Sequence, residues 1–184
     1  MKFSKLAAAI TLGLAFSAAH AATATNTFNV KITITGTCDA VAYAANTTSD
    51  VDFGTQTAAA TSAALQATNN AGTRLAVRCS KNLPVTLGLT PASATVGAST
   101  GAGSMGNGTD TIAYQLTRPT GAPLAPAYAT AWGDIVGTNT LAVTGNGLAA
   151  TDAVNVPVNA TIAANSLNVS AGNYTEVVTA TLTY

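Results

Sequence analysis

Only two residues in this chain are of a type and spacing that point to covalent chemistry, Cys38 and Cys79. In an exported chain such a pair reads as a structural disulfide. Closing a loop of that length stabilises by about 4 kcal/mol in the chain-entropy model. A metal site is not expected, because the single histidine, His20, lies in the leader. The same lack leaves no Ser-His-Asp or Cys-His set for nucleophilic catalysis. The acids Asp110, Asp134, Asp152 and Glu176 are scattered. Paired carboxylates for sugar hydrolysis could meet only through the fold, and turn capping or solvation is the expected role. "GAGSMG", from Gly101 to Gly106, matches the G-x-G-x-x-G of dinucleotide sites. Such a site needs a following helix whose N-terminus holds the pyrophosphate. Here Asn107-Gly108 and a strand pattern follow, so the Gly-rich stretch Gly97–Gly108 is expected to be a flexible hairpin loop. Trp132, the sole tryptophan, could stack on a sugar if exposed; a lone large aromatic in a small β domain is expected in the core instead. No catalytic residue, cofactor or metal is assigned.

The elements that position these residues begin with a leader. "MKFSK" is basic, "LAAAITLGLAFSAA" is apolar but too short to span a bilayer, and Ala19-His20-Ala21 offers a small-x-small cleavage site. Residues 1–21 are therefore read as a secretory signal peptide, leaving 163 of 184 residues. No lipoprotein anchor is expected, because residue 22 is Ala. Without Lys2 and Lys5, five basic residues face seven acidic ones, a net charge of about −2. No basic patch is available for nucleic acid. The chain is rich in Ala, Thr, Gly, Asn and Val, which favours strands and turns.

Strand patterns recur along the chain. In "TFNVKITIT", Phe28, Val30, Ile32 and Ile34 alternate with polar residues, giving one apolar face. "VDFG" (51–54) reads as a short strand, and residues 58–71 are ambiguous between strand and helical turn. "RLAVRC" and "LPVTLGLT" read as a pair joined at Ser80-Lys81-Asn82. "TIAYQLTR" is a strand. "TLAVTGNG" and "VNVPVNATI" follow, Pro157 marking an edge or a bulge. "SAGN" then turns into a last strand, on which Val178, Ala180, Leu182 and Tyr184 share an apolar face opposite Thr179, Thr181 and Thr183. That face and its backbone edge call for a cover. Short, regularly spaced strands with turns between them read as a single antiparallel β-sandwich domain.

"FNVKITITGTC", "LAVRC", "SMGNGTDTIAYQL", "WGD" and "VSAGNYTEVVTATLTY" occur in that order. In this the chain resembles the spore coat protein U domain, the pilin domain of archaic chaperone–usher pili. "AGNYTEVVTATLTY" and "MGNGTDTIAYQL" carry most of the resemblance, which spans nearly all of the mature chain. It implies an all-β, incomplete immunoglobulin-like antiparallel β-sandwich that lacks strand G. The neighbouring subunit completes the sandwich by donating a strand. Residues 22–37 would be the donor strand and hinge, and 38–184 the pilin β-sandwich domain. Phe28, Val30, Ile32 and Ile34 would be the donor side chains; Val178, Ala180, Leu182 and Tyr184 would line the acceptor groove. The resemblance also implies the partners: identical pilin subunits in a head-to-tail filament, a periplasmic chaperone whose basic residues hold the terminal carboxylate, and an outer-membrane usher. Export through the periplasm to an extracellular pilus on the cell surface follows, with surface attachment and biofilm formation as the role. The strand ending at Tyr184 is then uncovered because its cover belongs to another polypeptide. The rival use of residues 28–34, as the subunit's own first strand, competes for the same 16 residues before Cys38. Two other classes remain: an outer-membrane barrel, which wants more aromatics and longer strands, and a secreted single-domain carbohydrate-binding or adhesin module.

Overall fold

The computed structural model describes residues 25–42, 50–69, 74–120 and 128–184. The expected signal peptide lies outside them. The chain divides into two units, Met1–Ile34 and Thr35–Tyr184. In the first, residues 25–34 form no helix or strand. Their apolar side chains face solvent: Phe28 is 87% exposed, Val30 89%, Ile32 85% and Ile34 80%.

The second unit is all-β, as expected. Its strands are β1 (Cys38–Ala42), β2 (Leu65–Thr68), β3 (Leu75–Cys79), β4 (Pro84–Pro91), β5 (Ala102–Gly106), β6 (Thr111–Arg118), β7 (Thr130–Ala131), β8 (Leu141–Thr144), β9 (Val154–Val156), β10 (Asn159–Ile162) and β11 (Val178–Thr183). One 3-10 turn spans Ala150–Asp152. The strands form three open antiparallel sheets, ordered β1-β3-β9, β2-β10-β6-β5 with β7 on β6, and β11-β4-β8. Alternation drives the layering: in β8, Leu141 and Val143 are buried while Ala142 and Thr144 face water.

Trp132 is fully buried, as expected, among Val77, Leu87 and Val156. Its indole Nε1–H donates to the Leu87 carbonyl at 2.9 Å, and its backbone N–H donates to Leu116 at 2.9 Å. One residue thus ties β4 through its indole and β6 through its backbone to a common centre, with the polar handle of the ring satisfied. Cys38 and Cys79 form the expected disulfide, at directly opposed positions of β1 and β3.

Three local expectations are corrected and one ambiguity is settled. β3 and β4 are consecutive but do not pair with each other. Val77 and Cys79 on one, and Val85, Leu87 and Leu89 on the other, are all buried, so the two strands lie in separate sheets. Residues 51–54 form no strand. Val51 and Phe53 still pack on the core, while Asp52 Oδ1 accepts from the Gly54 N–H at 2.7 Å and closes a turn at φ +67°. The ambiguous 58–71 stretch contributes β2, paired with β10. The Gly-rich stretch is not wholly loop either, for β5 runs through it and pairs with β6. Its glycines are sites of close approach. A Cβ on Gly101, at φ +82°, would sit 2.1 Å from the Trp132 carbonyl oxygen, and one on Gly103 would sit 2.4 Å from the Tyr114 ring. The G-x-G-x-x-G match is packing, with no helix after it. Pro157, expected at an edge strand or a bulge, lies between strands: buried, it follows the edge strand β9, which pairs with β3, and precedes β10, which pairs with β2 and β6.

Candidate functional site

The distinctive surface feature of residues 35–184 is the outer edge of β11. Its inner edge pairs with β4 along its whole length, from Val178 opposite Pro91 to Thr183 opposite Thr86. No strand pairs with its outer edge among the described residues. Val178, Ala180 and Leu182 point inward and pack against the core, yet each is only half-buried. Leu141 and Val143, on the opposite edge strand of the same sheet, are 6% and 7% exposed. The difference marks a groove open from the side of β11. Thr179, Thr181 and Thr183 face out. Tyr184 follows the strand and is 62% exposed. Of the four groove side chains expected from the sequence, Val178, Ala180 and Leu182 therefore share one face of β11 and Tyr184 lies beyond its end, while the four donor-type side chains are the most exposed large apolar group of the described chain.

Two carboxylates fasten the end of the sheet where β11 begins. Glu176, two residues before the strand, accepts from the Ser93 N–H at 2.7 Å and the Ser104 N–H at 2.8 Å. Burial alone would raise its pKa. Hydrogen bonds from Ser93 and Ser104, with the Tyr114 phenol beside the carboxylate, outweigh that and hold it below its ordinary value. The Tyr114 phenol is pushed up, first by burial and then by the carboxylate beside it. Gly103 leaves the room this pair occupies. Thr175 and Gly106 exchange a backbone bridge, so the chain entering β11 is held to β5.

Asp134 does the same for β4. Its Oδ2 accepts from the Thr90 hydroxyl and the Gly97 N–H, both at 2.7 Å, and its Oδ1 from the Ser99 N–H at 2.8 Å. Burial opposes ionisation here too; the donors from Gly97, Thr90 and Ser99 prevail and keep the carboxyl below its ordinary value. Asp110 accepts from Ser170, which lowers its pKa. The scattered acids are thus turn and strand clamps. Sequence reasoning missed the Glu176 role, because its partners lie 83 and 72 residues away and no local pattern marks them.

Among the described residues no cluster of His, Cys, Asp or Glu could hold a metal ion. No helix there is long and apolar enough to cross a membrane. What the site offers is a half-buried apolar face on a strand whose outer backbone edge pairs with no other strand among the described residues. That surface can take up an extended peptide by main-chain pairing, with side chains inserted at alternate positions.

No curated protein matches the chain. Among solved structures, it is similar to a chain in the crystal structure of the CsuC–CsuE chaperone–tip adhesion subunit pre-assembly complex from archaic chaperone–usher Csu pili of Acinetobacter baumannii. The identity is 18% and the TM-score 0.46, over 83% of this chain and 40% of that one. The pattern of one protein family, the Spore Coat Protein U domain, matches residues 24–181. With most of its length matched by that pattern, the chain belongs to the Spore Coat Protein U domain family.

Proposed function

We propose that this chain is a structural subunit of a chaperone–usher pilus, and within it the repeating shaft subunit. Subunits polymerise by donor-strand complementation. The observation that carries the reading is the pairing of two unfinished features: the half-buried face of Val178, Ala180 and Leu182 on an unpaired strand edge, and the exposed alternation of Phe28, Val30, Ile32 and Ile34. Each lacks what the other supplies. Burying four such side chains contributes roughly 6–12 kcal/mol by transfer arithmetic, before ordering costs. Main-chain pairing along the edge adds to this and slows release. The contact is head-to-tail and does not close on itself, so it propagates a filament.

A periplasmic chaperone would hold the groove before assembly, an outer-membrane usher would order subunit addition, and surface attachment leading to biofilm would be the filament's role. No bond-making step and no cofactor enters this reading. The secreted sugar-binding alternative loses its best stacking platform, because Trp132 is fully buried.

The test compares the mature chain with a rearranged chain carrying residues 22–37 behind Tyr184 on a short Gly/Ser linker. Both are produced in the periplasm without a chaperone, then followed by size exclusion and thermal melting. A stable monomer from the rearranged chain, with aggregation or polymerisation of the native order, is expected. A native-order chain that is already a stable monomer, and that unfolds when its N-terminal segment is moved, would make residues 28–34 the subunit's own strand and end the pilin reading.

A further inference from the structure

We propose that Cys38–Cys79 and the residues around it form a tension clasp. It passes a pull on the N-terminal segment to β4 and keeps residues 39–78 out of the loaded path. The inference rests on the donor-strand reading above, which makes residues 28–34 the segment a neighbour pulls, and adds a mechanical role for the cross-link.

The place of the disulfide carries the argument. β1 pairs with β3 from Cys38 opposite Cys79 to Ala42 opposite Leu75, and with no other strand among the described residues. A pull on the segment reaches this ladder at its first rung. A ladder loaded at one end yields one rung at a time, and each rung holds by at most two hydrogen bonds of modest net worth. The covalent link sits on that first rung. As a staple on the unfolded chain, a link between any facing pair of β1 and β3 would close a loop of similar entropy. Only a link on the first rung stops the strand from peeling at all.

Hydrogen bonds lock both sides of the link. On the segment side, the Thr37 N–H donates to Ser80 Oγ at 3.0 Å, and the Thr37 carbonyl accepts from the Ser80 N–H at 2.9 Å. Gly36 lies against Leu83, where a Cβ would sit 2.9 Å from Cδ1. Residues 36 and 37 are therefore seated, and the division between the two units falls before them, after Ile34. On the far side, Gly147 bridges Cys79 and donates its N–H to the Cys79 carbonyl at 3.0 Å. The Asn82 N–H donates to the Gly145 carbonyl at 2.8 Å, and the Gly145 N–H to the Leu83 carbonyl at 2.9 Å. Gly145 permits this closeness, since a Cβ there would sit 2.3 Å from the Ser80 carbonyl oxygen.

The load thus crosses one covalent bond from Cys38 to Cys79 and soon reaches Pro84, the first residue of β4. β4 pairs with β8 on one side and β11 on the other, so the pull ends in the sheet that carries the open edge. Without the link it must travel through residues 39–78. β1 would peel first, and the next described residues packed on the core are Val51 and Phe53. The stretch Cys38–Asp50, about 13 residues, gives no more than about 45 Å of extension. The β4–β11 ladder loses no rung in this opening, so a filament lengthens before it parts.

Force spectroscopy of single filaments reads the clasp. Oxidised parent filaments should stretch to rupture without a length step. Filaments of Cys38→Ala with Cys79→Ala should lengthen in reversible steps of up to about 45 Å per subunit before they part. Parent filaments reduced with dithiothreitol in the instrument should show the same steps, which keeps the test open if the variant does not assemble. A step of that size in oxidised filaments overturns the clasp. A single mature chain, held at its N-terminus and by a handle at exposed Val96, is pulled in parallel. If reduction only lowers the rupture force, with no step in filament or single chain, the disulfide is a plain staple and the clasp falls. If reduction gives the step in the single chain but not in filaments, the clasp stands and filaments are not pulled through the N-terminal segment. That last result refutes the donor-strand reading instead.

Discussion

Ile32 gives the sharpest separation between the subunit and its polymer. In the single chain its side chain is 85% exposed and sits in a segment with no strand pairing. Ile32→Ala should leave the monomer's stability within about 0.5 kcal/mol, as exposed substitutions usually do. In the proposed filament the same side chain would be buried against the neighbour's β11 face. Truncating a buried Ile to Ala costs about 2–5 kcal/mol, and the half-open groove places this site toward the lower part of that range. Taking roughly 2–4 kcal/mol, and tenfold for each 1.4 kcal/mol, subunits should dissociate about 30- to 1,000-fold faster. The assay is a guanidinium series on purified filaments, reading released subunits by size exclusion, beside a denaturant melt of the released full-length monomers of parent and variant. Filaments of Ile32→Ala as resistant as the parent, or a monomer weakened by more than 1 kcal/mol, would refute the assignment of Ile32 to the groove.

Three further outcomes follow from the same geometry. Trp132→Phe should lower stability by about 2–4 kcal/mol, since it leaves a void and strips the buried Leu87 carbonyl of its donor; denaturant melts measure it. Replacing Cys38 and Cys79 together with Ala should cost about 4 kcal/mol for the 41-residue separation, and dithiothreitol should lower the melting temperature of the parent but not of the variant. Acid should weaken the fold in a set window. Asp134 and Glu176 have folded-state pKa values below their ordinary 3.8 and 4.5, so their contribution is full above about pH 4.5 and is lost as pH falls through the lower folded values. Glu176→Gln should flatten that acid limb, and a limb of unchanged slope would show the clamp to be irrelevant to stability.

The sequence exposes what is periodic and hides what is long-range. The alternations at Phe28–Ile34 and Val178–Leu182 are visible because a period of two is a local property of a strand with one wet face. The burial of Trp132 is legible from its size and singularity. Strand partners are not. "RLAVRC" and "LPVTLGLT" look like a hairpin because a short polar link joins two apolar runs, but mutual burial of their inner faces sends them to separate sheets. "AGSMG" looks like loop because glycine is a poor strand former. Its glycines are needed for contacts with Trp132 and Tyr114, which lie about ten to thirty residues further along the chain. The Glu176 clamp is invisible for the same reason.

The two carboxylate clamps also bear on why the β11 edge can stay open. An edge strand with a half-exposed apolar face is prone to shift register or to peel away, and either change would erase the groove. β11 is held along one side by β4, and at its start by Glu176 to Ser93 and Ser104 and by the Thr175–Gly106 bridge. β4 is itself pinned at Thr90 by Asp134. Near Leu182 and Thr183 the strand is held by the β4 ladder and by one long side-chain bond, the Thr86 hydroxyl donating to the Thr183 carbonyl at 3.4 Å. The groove is thus rigid at the Val178 end and looser at the Tyr184 end. Glu176→Gln should therefore loosen the Val178 end of β11 before the Tyr184 end. In that variant, hydrogen exchange of the β4–β11 ladder should rise at the Val178–Pro91 end while protection persists at the Thr183–Thr86 end. Equal loss at both positions would mean that the clamp supports the whole sheet rather than its start.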